Sequence, residues 1–294
     1  MAILGIDLGT TNSLGAVYRN GKVELIPNRF GSFLTPSVVS VMEDGSVAVG
    51  QIAKERLITH PKDTAASFKK KMGTTQNYVL GGRNFLPEEL SGFVISAIVE
   101  DARNYLQEDV EDVIISVPAY FHDKQRVAGA LAGVMVKRII NEPSAAALAS
   151  YFDTRQEQLF LVFDFGGGTL DVSIVDCFDT MVEILAVSGD NHLGGDDFNE
   201  AIAGGFLKEH QLQQKCLSET EYAILLRQAE KCKIALSTLP ETKMTAVIGG
   251  QTYQSVYTNE RVMRESSGIW KRMQRVLRHA LQDGRVSLEE INAV

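Results

Sequence analysis

The 294-residue chain is poor in the groups that mark secreted, metal-stapled or membrane proteins. It has three cysteines, Cys177, Cys216 and Cys232, widely spaced and without Cys-x-x-Cys, which argues against a disulfide framework or a structural zinc site. Five histidines, at 60, 122, 192, 210 and 279, form no metal-type pair. No apolar run is long enough to span a bilayer, and no basic-then-apolar leader opens the chain. Positive charge is in deficit. Lys and Arg number 29 against 37 Asp and Glu, and the formal charge of −8 argues against a nucleic-acid or membrane-surface binder. Gly-x-x-x-x-Gly-Lys-Ser/Thr is missing, which excludes a Walker-type ATPase, and so is the Gly-x-Gly-x-x-Gly turn of a Rossmann oxidoreductase. The remaining composition, 45% hydrophobic and 22% charged, is that of a globular protein, and the length calls for two lobes. A reducing, cytoplasmic setting fits all of this.

What the chain does have is one turn written twice. An apolar run at 159–163 predicts a buried strand, which leads into Asp164-Phe165-Gly166-Gly167-Gly168-Thr169-Leu170-Asp171. Three glycines without Cβ let a phosphate chain reach backbone N–H donors, and Thr169 adds a hydroxyl. Asp164 and Asp171 offer hard oxygens suited to Mg²⁺ or its bound waters. Earlier, a strand at 3–6 runs into Asp7-Leu8-Gly9-Thr10-Thr11-Asn12-Ser13, then a second strand, the turn Asn20-Gly21 and a third strand. After Asp164 the order repeats, with a turn at Phe178-Asp179 and a strand at 181–187. This indicates an internal duplication: two lobes that present two phosphate-gripping turns and two carboxylates to one cleft. The arrangement is a nucleotide clamp.

Between the turns, a hairpin at 37–49 and a short helix at 50–60, stopped by Pro61, precede Ser67-Phe68-Lys69-Lys70-Lys71-Met72-Gly73. Pro87 opens a long helix with Leu90, Phe93, Val94, Ala97, Ile98 and Tyr105 on one face. Residues 112–117 return to core strand, a helix follows from 123 to about 134, and 138–147 reads as strand, polar turn and helix. Glu142 falls at that junction, where open α/β sheets place chemistry. Gly189 to Phe198 is a glycine turn opening a helix. Residues 220–236 are helical, 242–257 are paired β, and 260–282 form one helix. A capping-box pattern at Ser287-Leu288-Glu289-Glu290 opens a last short helix, with no final strand.

Together these motifs resemble the nucleotide-binding domain of the heat-shock-70 (DnaK) chaperone family. The similarity lies in 5–13, 117–121, Ile140-Asn141-Glu142-Pro143, the Asp164 turn and Gly194-Gly195-Asp196-Asp197-Phe198, and it covers the whole chain. The short stretch between Ser237 and Tyr257 looks like the HscC-type bacterial branch. The resemblance implies an α/β, actin-like ATPase fold with two duplicated lobes. The first spans 1–155, with an insert at about 38–108. The second spans 156–294, with an insert at about 194–267, and is incomplete. It further implies ATP or ADP with Mg²⁺, the ion held through waters by Asp7 and Asp164. Thr10, Thr11, Asn12, Gly166, Gly167, Gly168 and Thr169 would grip phosphates. Asp171 would position the attacking water, with Glu142 near it, and Lys69 would face the γ-phosphate, leaving Lys70 and Lys71 as a solvated face. Gly194, Gly195, Glu230, Lys233 and Ser237 would contact the nucleotide, the last three from one helix face. Pro118, Arg126 and Arg138 would relay nucleotide state towards an interdomain linker. Implied partners are a J-domain co-chaperone, a nucleotide exchange factor and, through a domain absent here, unfolded client peptides.

Two departures from the family pattern stand out. The span from Arg126 to Arg138 is four residues short, about one helical turn, which alters the linker and J-protein surface. The chain also stops at Val294, before the strand and Gly-Gly turn that cover adenine, which predicts weakened nucleotide affinity. Competing functions are a sugar-kinase-type phosphotransferase on the same fold and a catalytically silent fragment. The 140–147 motif, and the lack of an evident sugar site, favour the chaperone ATPase over the phosphotransferase.

Overall fold

Alternating apolar residues build the first sheet. In the computed structural model, which describes residues 2–117, 124–154, 157–178 and 181–294, β1 (Ile3–Asp7) turns Leu4 and Ile6 inward and leads through the Asp7 turn to β2 (Asn12–Arg19). Asn20 and Gly21, both at positive φ, close the hairpin to β3 (Lys22–Ile26), as a two-residue type I′ turn requires. The insert then begins. β4 (Thr35–Pro36) pairs with the start of β2, and β5 (Val38–Val41) pairs with β6 (Val47–Val49). After α1 (Gln51–Thr59), β7 (Thr64–Ala66) completes this small sheet. The hairpin of β8 (Tyr78–Leu80) and β9 (Arg83–Phe85) precedes α2 (Pro87–Leu106).

α2 is the pillar under the first sheet. Leu90, Val94, Ile95, Ile98, Val99 and Ala102 are buried along it, so the apolar stripe is shifted from the expected one. Tyr105 is a correction: it is exposed and donates its hydroxyl to Glu24 Oε1 at 2.7 Å. The last turn of α2 overlies the edge strand β3, where a carboxylate and water are within reach of a phenol. Next, β10 (Asp112–Val117) runs parallel to β1, α3 (Lys124–Leu131) crosses α2, and β11 (Met135–Asn141) runs parallel to β10. α3 ends in a Schellman turn: Gly133 at φ +72° donates to Ala130 O and Val134 N–H reaches Gly129 O. Pro118 and the Arg126 side chain lie outside the described residues, and Arg138 is exposed on β11.

α4 (Glu142–Thr154) starts directly from β11, without the polar turn expected between them, so Glu142 is the first helical residue. Ala147 of α4 is buried against Phe160, Val175 and Cys177 of the second sheet, although the helix continues the first lobe in sequence. That sheet is β12 (Gln158–Phe165), β13 (Leu170–Phe178) and β14 (Met181–Asp190), all antiparallel, with Asp164 in register with Asp171. The expected turn at Phe178-Asp179 falls partly outside the described residues. α5 (Gly195–Glu209) and α6 (Glu219–Ala235) pack together, followed by the hairpin β15 (Glu241–Ile248) and β16 (Gln251–Thr258).

The single helix expected at 260–282 is two, α7 (Asn259–Glu265) and α8 (Ser267–Gly284). Ser266 breaks it: its Oγ donates to Val262 O at 2.6 Å and accepts from Trp270 Nε1 at 3.1 Å, competing with the helical ladder. After α8 the described residues form no further strand and meet β12 only at one isolated bridge. Asn292 N–H donates to Leu159 O and Leu161 N–H to Ala293 O, both at 2.9 Å, as a parallel bridge on β12. An open strand edge leaves backbone groups that must find partners, and these residues supply them.

Two main cores result, one from Leu4 to Val134 around α2 and one from Leu161 to Ala280 around α5, α6 and α8. Ile95→Ala should cost about 2–5 kcal/mol by opening a cavity under the first sheet, whereas Tyr105→Phe should cost under about 1 kcal/mol. Urea unfolding of the two variants checks the assignment of the buried stripe.

Candidate functional site

Two turns meet at the base of the cleft. Gly9 shapes the first, because a Cβ there would collide with the Asn12 carbonyl as the chain doubles back from Asp7. Gly166 N–H closes the second on Thr169 O at 2.9 Å. Gly167 lies against the Thr11 side chain, which a Cβ would strike, so the turns of the two lobes are in contact. Gly194 and Gly195 form a third layer behind them. Gly195 N–H donates to Gly166 O at 3.0 Å and Asp196 N–H to Gly167 O at 2.7 Å, and Gly194 packs on the Gly167–Gly168 peptide where no side chain fits. These bonds fix the glycine turn on the N-terminus of α5.

A cavity of about 750 Å³ opens in front. Asp7, Thr10, Thr11, Asn12, Lys69, Glu142, Asp164, Gly166, Gly167, Thr169 and Asp171 line it, so most of the expected residues are brought together. Lys69 arrives on a 3-10 turn, Phe68–Lys71, whose Phe68 is buried in the first core and whose Ser67 bends the chain in at φ +56°. Its Nζ lies 2.9 Å from Glu142 Oε1, and both side chains are largely buried. Lys70 corrects the expectation of a solvated face. It is half-buried, lines the cavity and donates to Gly168 O across the cleft at 2.6 Å, while Lys71 is exposed at the rim. The main chain bends sharply after Ser67, and a strand or regular helix would have pointed adjacent lysines elsewhere. The expectation missed Ser116, which donates to Asp7 Oδ1 at 2.8 Å, and the cavity-lining Asn191 and His192. The latter two sit in a glycine turn visible in the sequence.

The carboxylates crowd one another. Burial pushes Glu142 up from its usual 4.5 to about 7; Lys69 opposes this, and the charges on Asp7 and Asp164 add to it. Burial also raises Asp164, helped by Asp7, and raises Asp171, helped by Asp164. Such a set of hard oxygens fits a divalent cation, whose charge would relieve the crowding. Among the described residues, no three His, Cys, Asp or Glu side chains converge closely enough to hold an ion by themselves.

A second cavity of about 580 Å³ adjoins the first at Thr10, Thr11, Ala66 and Ser67, between α1 and α6. Glu230 lines it and accepts from Lys54 Nζ at 2.9 Å. Lys233 turns instead to Gly195 O, at 2.6 Å, and burial lowers its pKa against the pull of Asp196 and Glu230. Ser237 is exposed beyond the end of α6 and lines neither cavity. The three residues expected on one helix face therefore have three different surroundings.

Duplicated α/β lobes with paired Asp-Gly-Thr turns at one cleft define the actin-like ATPase fold. Within that class the chain belongs to the Hsp70 family: the family model described as Hsp70 protein matches residues 3–80 and 74–294. Among curated proteins it is similar to "Chaperone protein DnaK" of Thermotoga neapolitana, with 39% identity over 311 aligned positions covering 99% of this chain and 52% of that protein. The chain spans about half the length of the curated relative it matches. The alignment is longer than the chain's own 294 residues, so the relative carries segments that this chain lacks. The match to a nucleotide-binding domain of this family does not favour the phosphotransferase alternative.

Because Glu142 holds its proton more tightly when folded, its contribution to stability falls as pH rises from about 4.5 to about 7. Carboxyl ¹³C NMR should show a Glu142 midpoint near 7, moving upward in Lys69→Met. In Glu142→Gln, this segment of the stability–pH curve should flatten.

Proposed function

We propose that the chain binds Mg-ATP between its two turns and hydrolyses it to ADP and phosphate. The observation that carries this reading is the contact of Thr11 with Gly167, beside the buried Lys69–Glu142 pair. One polyphosphate can there be held by N–H and hydroxyl donors from both lobes. Thr10, Thr11, Asn12, Gly166, Gly167, Gly168 and Thr169 bind the phosphates. Asp7 and Asp164 take the waters of Mg²⁺, which when bound neutralises phosphate charge. Asp171 orients the attacking water, and Lys69 offsets charge on the transferring phosphoryl group while Glu142 holds its ammonium in place. Gly194 and Gly195 support the phosphate turn from behind. Glu230 is the nucleoside-side contact, and Lys233, now bonded to Gly195 O, and Ser237 join it only if α6 moves.

In the whole protein, hydrolysis would move the lobes, proposed at 1–155 and 156–294 with inserts at about 38–108 and 194–267, and so gate a domain that binds unfolded clients. A J-domain co-chaperone and a nucleotide exchange factor are the proposed partners, and the cytoplasm the proposed compartment. No helix among the described residues is long and apolar enough to cross a membrane. An HscC-type placement within the family is proposed from the short stretch between Ser237 and Tyr257.

Calorimetric titration with Mg-ATP should give saturable binding that is lost in Asp164→Ala. Lys69→Ala should still bind but turn over about 10²–10³-fold more slowly, the scale for removing one preorganised charge-stabilising donor. Unchanged turnover in Lys69→Ala would refute its role.

A further inference from the structure

Three lysines follow Phe68, and each has a different surrounding. Lys71 is exposed, and Lys69 is buried and committed to Glu142. Lys70 crosses between the lobes to a neutral acceptor, the Gly168 carbonyl, at 2.6 Å. Among the described residues no carboxylate lies within ion-pair distance of its Nζ. Asp196 senses the Lys70 charge, though less than that of Lys233. An ammonium has three N–H donors, and a half-buried one served by a single carbonyl retains capacity for an anion. That capacity faces the cavity shared by Thr10, Thr11 and Gly167. The contact is also built into the turn, since a Cβ at Gly168 would strike the Lys70 ammonium.

We infer that Lys70 is an interlobe latch for polyphosphate ligands. Its ammonium ties the 3-10 turn of the first lobe to the glycine turn of the second and turns its remaining donors on the ligand's outer phosphate. The inference rests on the reading of this cavity as a polyphosphate site. Lys70 and Lys69 then divide the work. Lys69 stays with the carboxylates, while Lys70 spans the mouth through which a phosphate chain passes. The Lys70–Gly168 bond must break for the lobes to part, so it governs release more than the chemical step.

The test compares the unsubstituted chain with Lys70→Ala, Lys70→Arg and, as a charge control, Lys62→Ala, which removes an exposed lysine of the same insert. Release of fluorescent ADP, affinity for ADP and for adenosine, and ligand-free hydrogen exchange across residues 166–171 are measured. Lys70→Ala should release ADP about tenfold faster, equivalent to about 1.4 kcal/mol, with adenosine affinity changed less than about twofold. Lys70→Arg, which keeps charge and donors, should stay within about threefold of the unsubstituted rate. Ligand-free exchange should rise in Lys70→Ala and not in Lys62→Ala. Unchanged ADP release in Lys70→Ala, or equal weakening of ADP and adenosine, would overturn the latch. Should the unsubstituted chain bind no nucleotide, the polyphosphate reading fails by itself. The exchange data then decide whether Lys70 joins the lobes, and equal exchange in Lys70→Ala sinks that as well.

Discussion

Gly167 has no side chain, and the approach of the two halves depends on that. Thr11 occupies the space a Cβ would need, so the first turn rests directly on the backbone of the second. Close approach brings the polar groups of the two turns together. The polar groups left there are then served by each other: backbone N–H by carbonyls of the glycine layers, Asp7 by Ser116, Lys69 by Glu142. A site held by main-chain bonds loses little order when a ligand arrives, which is what preorganised charge stabilisation requires.

Burial sets the electrostatic character of the cleft. Three carboxyl groups, on Glu142, Asp164 and Asp171, are all pushed towards their protonated forms, and a single buried lysine opposes this. These carboxyl groups, with Asp7, therefore share the cavity in an arrangement that disfavours their full ionisation. The same cavity is lined by glycines, threonine hydroxyls and the Lys70 ammonium. A cation and a polyanion bound together would satisfy carboxylates and donors at once, and either alone would satisfy only one set.

The parts legible in the sequence were those written in local pattern. The duplicated turn shows because glycine and aspartate residues recur at fixed offsets from apolar strands, and the strand order follows from it. The stripe on α2 was only partly legible, since Tyr105 shares the periodicity of the buried residues and differs only in overlying a sheet edge. Ser266 could not be read as a break because mid-helix serine is common, and its effect depends on Trp270 and Val262 being in reach. Lys70 was misjudged for a similar reason. Three adjacent lysines resemble a solvated face until the positive φ of Ser67 aims one of them across the cleft. Glu230, Lys233 and Ser237 share helical spacing, yet α6 runs past the cavity, so spacing alone could not say which of them face it.

The bridge between Ala293 and β12 has a mechanical side. Its hydrogen bonds to Leu159 and Leu161 lie on the strand that carries Asp164 a few residues further on. A strand is a stiff element, and load applied to the segment after α8 would be taken up along β12 in shear, through bonds stretched side by side. Tension there would bear directly on the carboxylate at the strand's far end. The second glycine turn is thus joined, through β12, to the segment that follows α8.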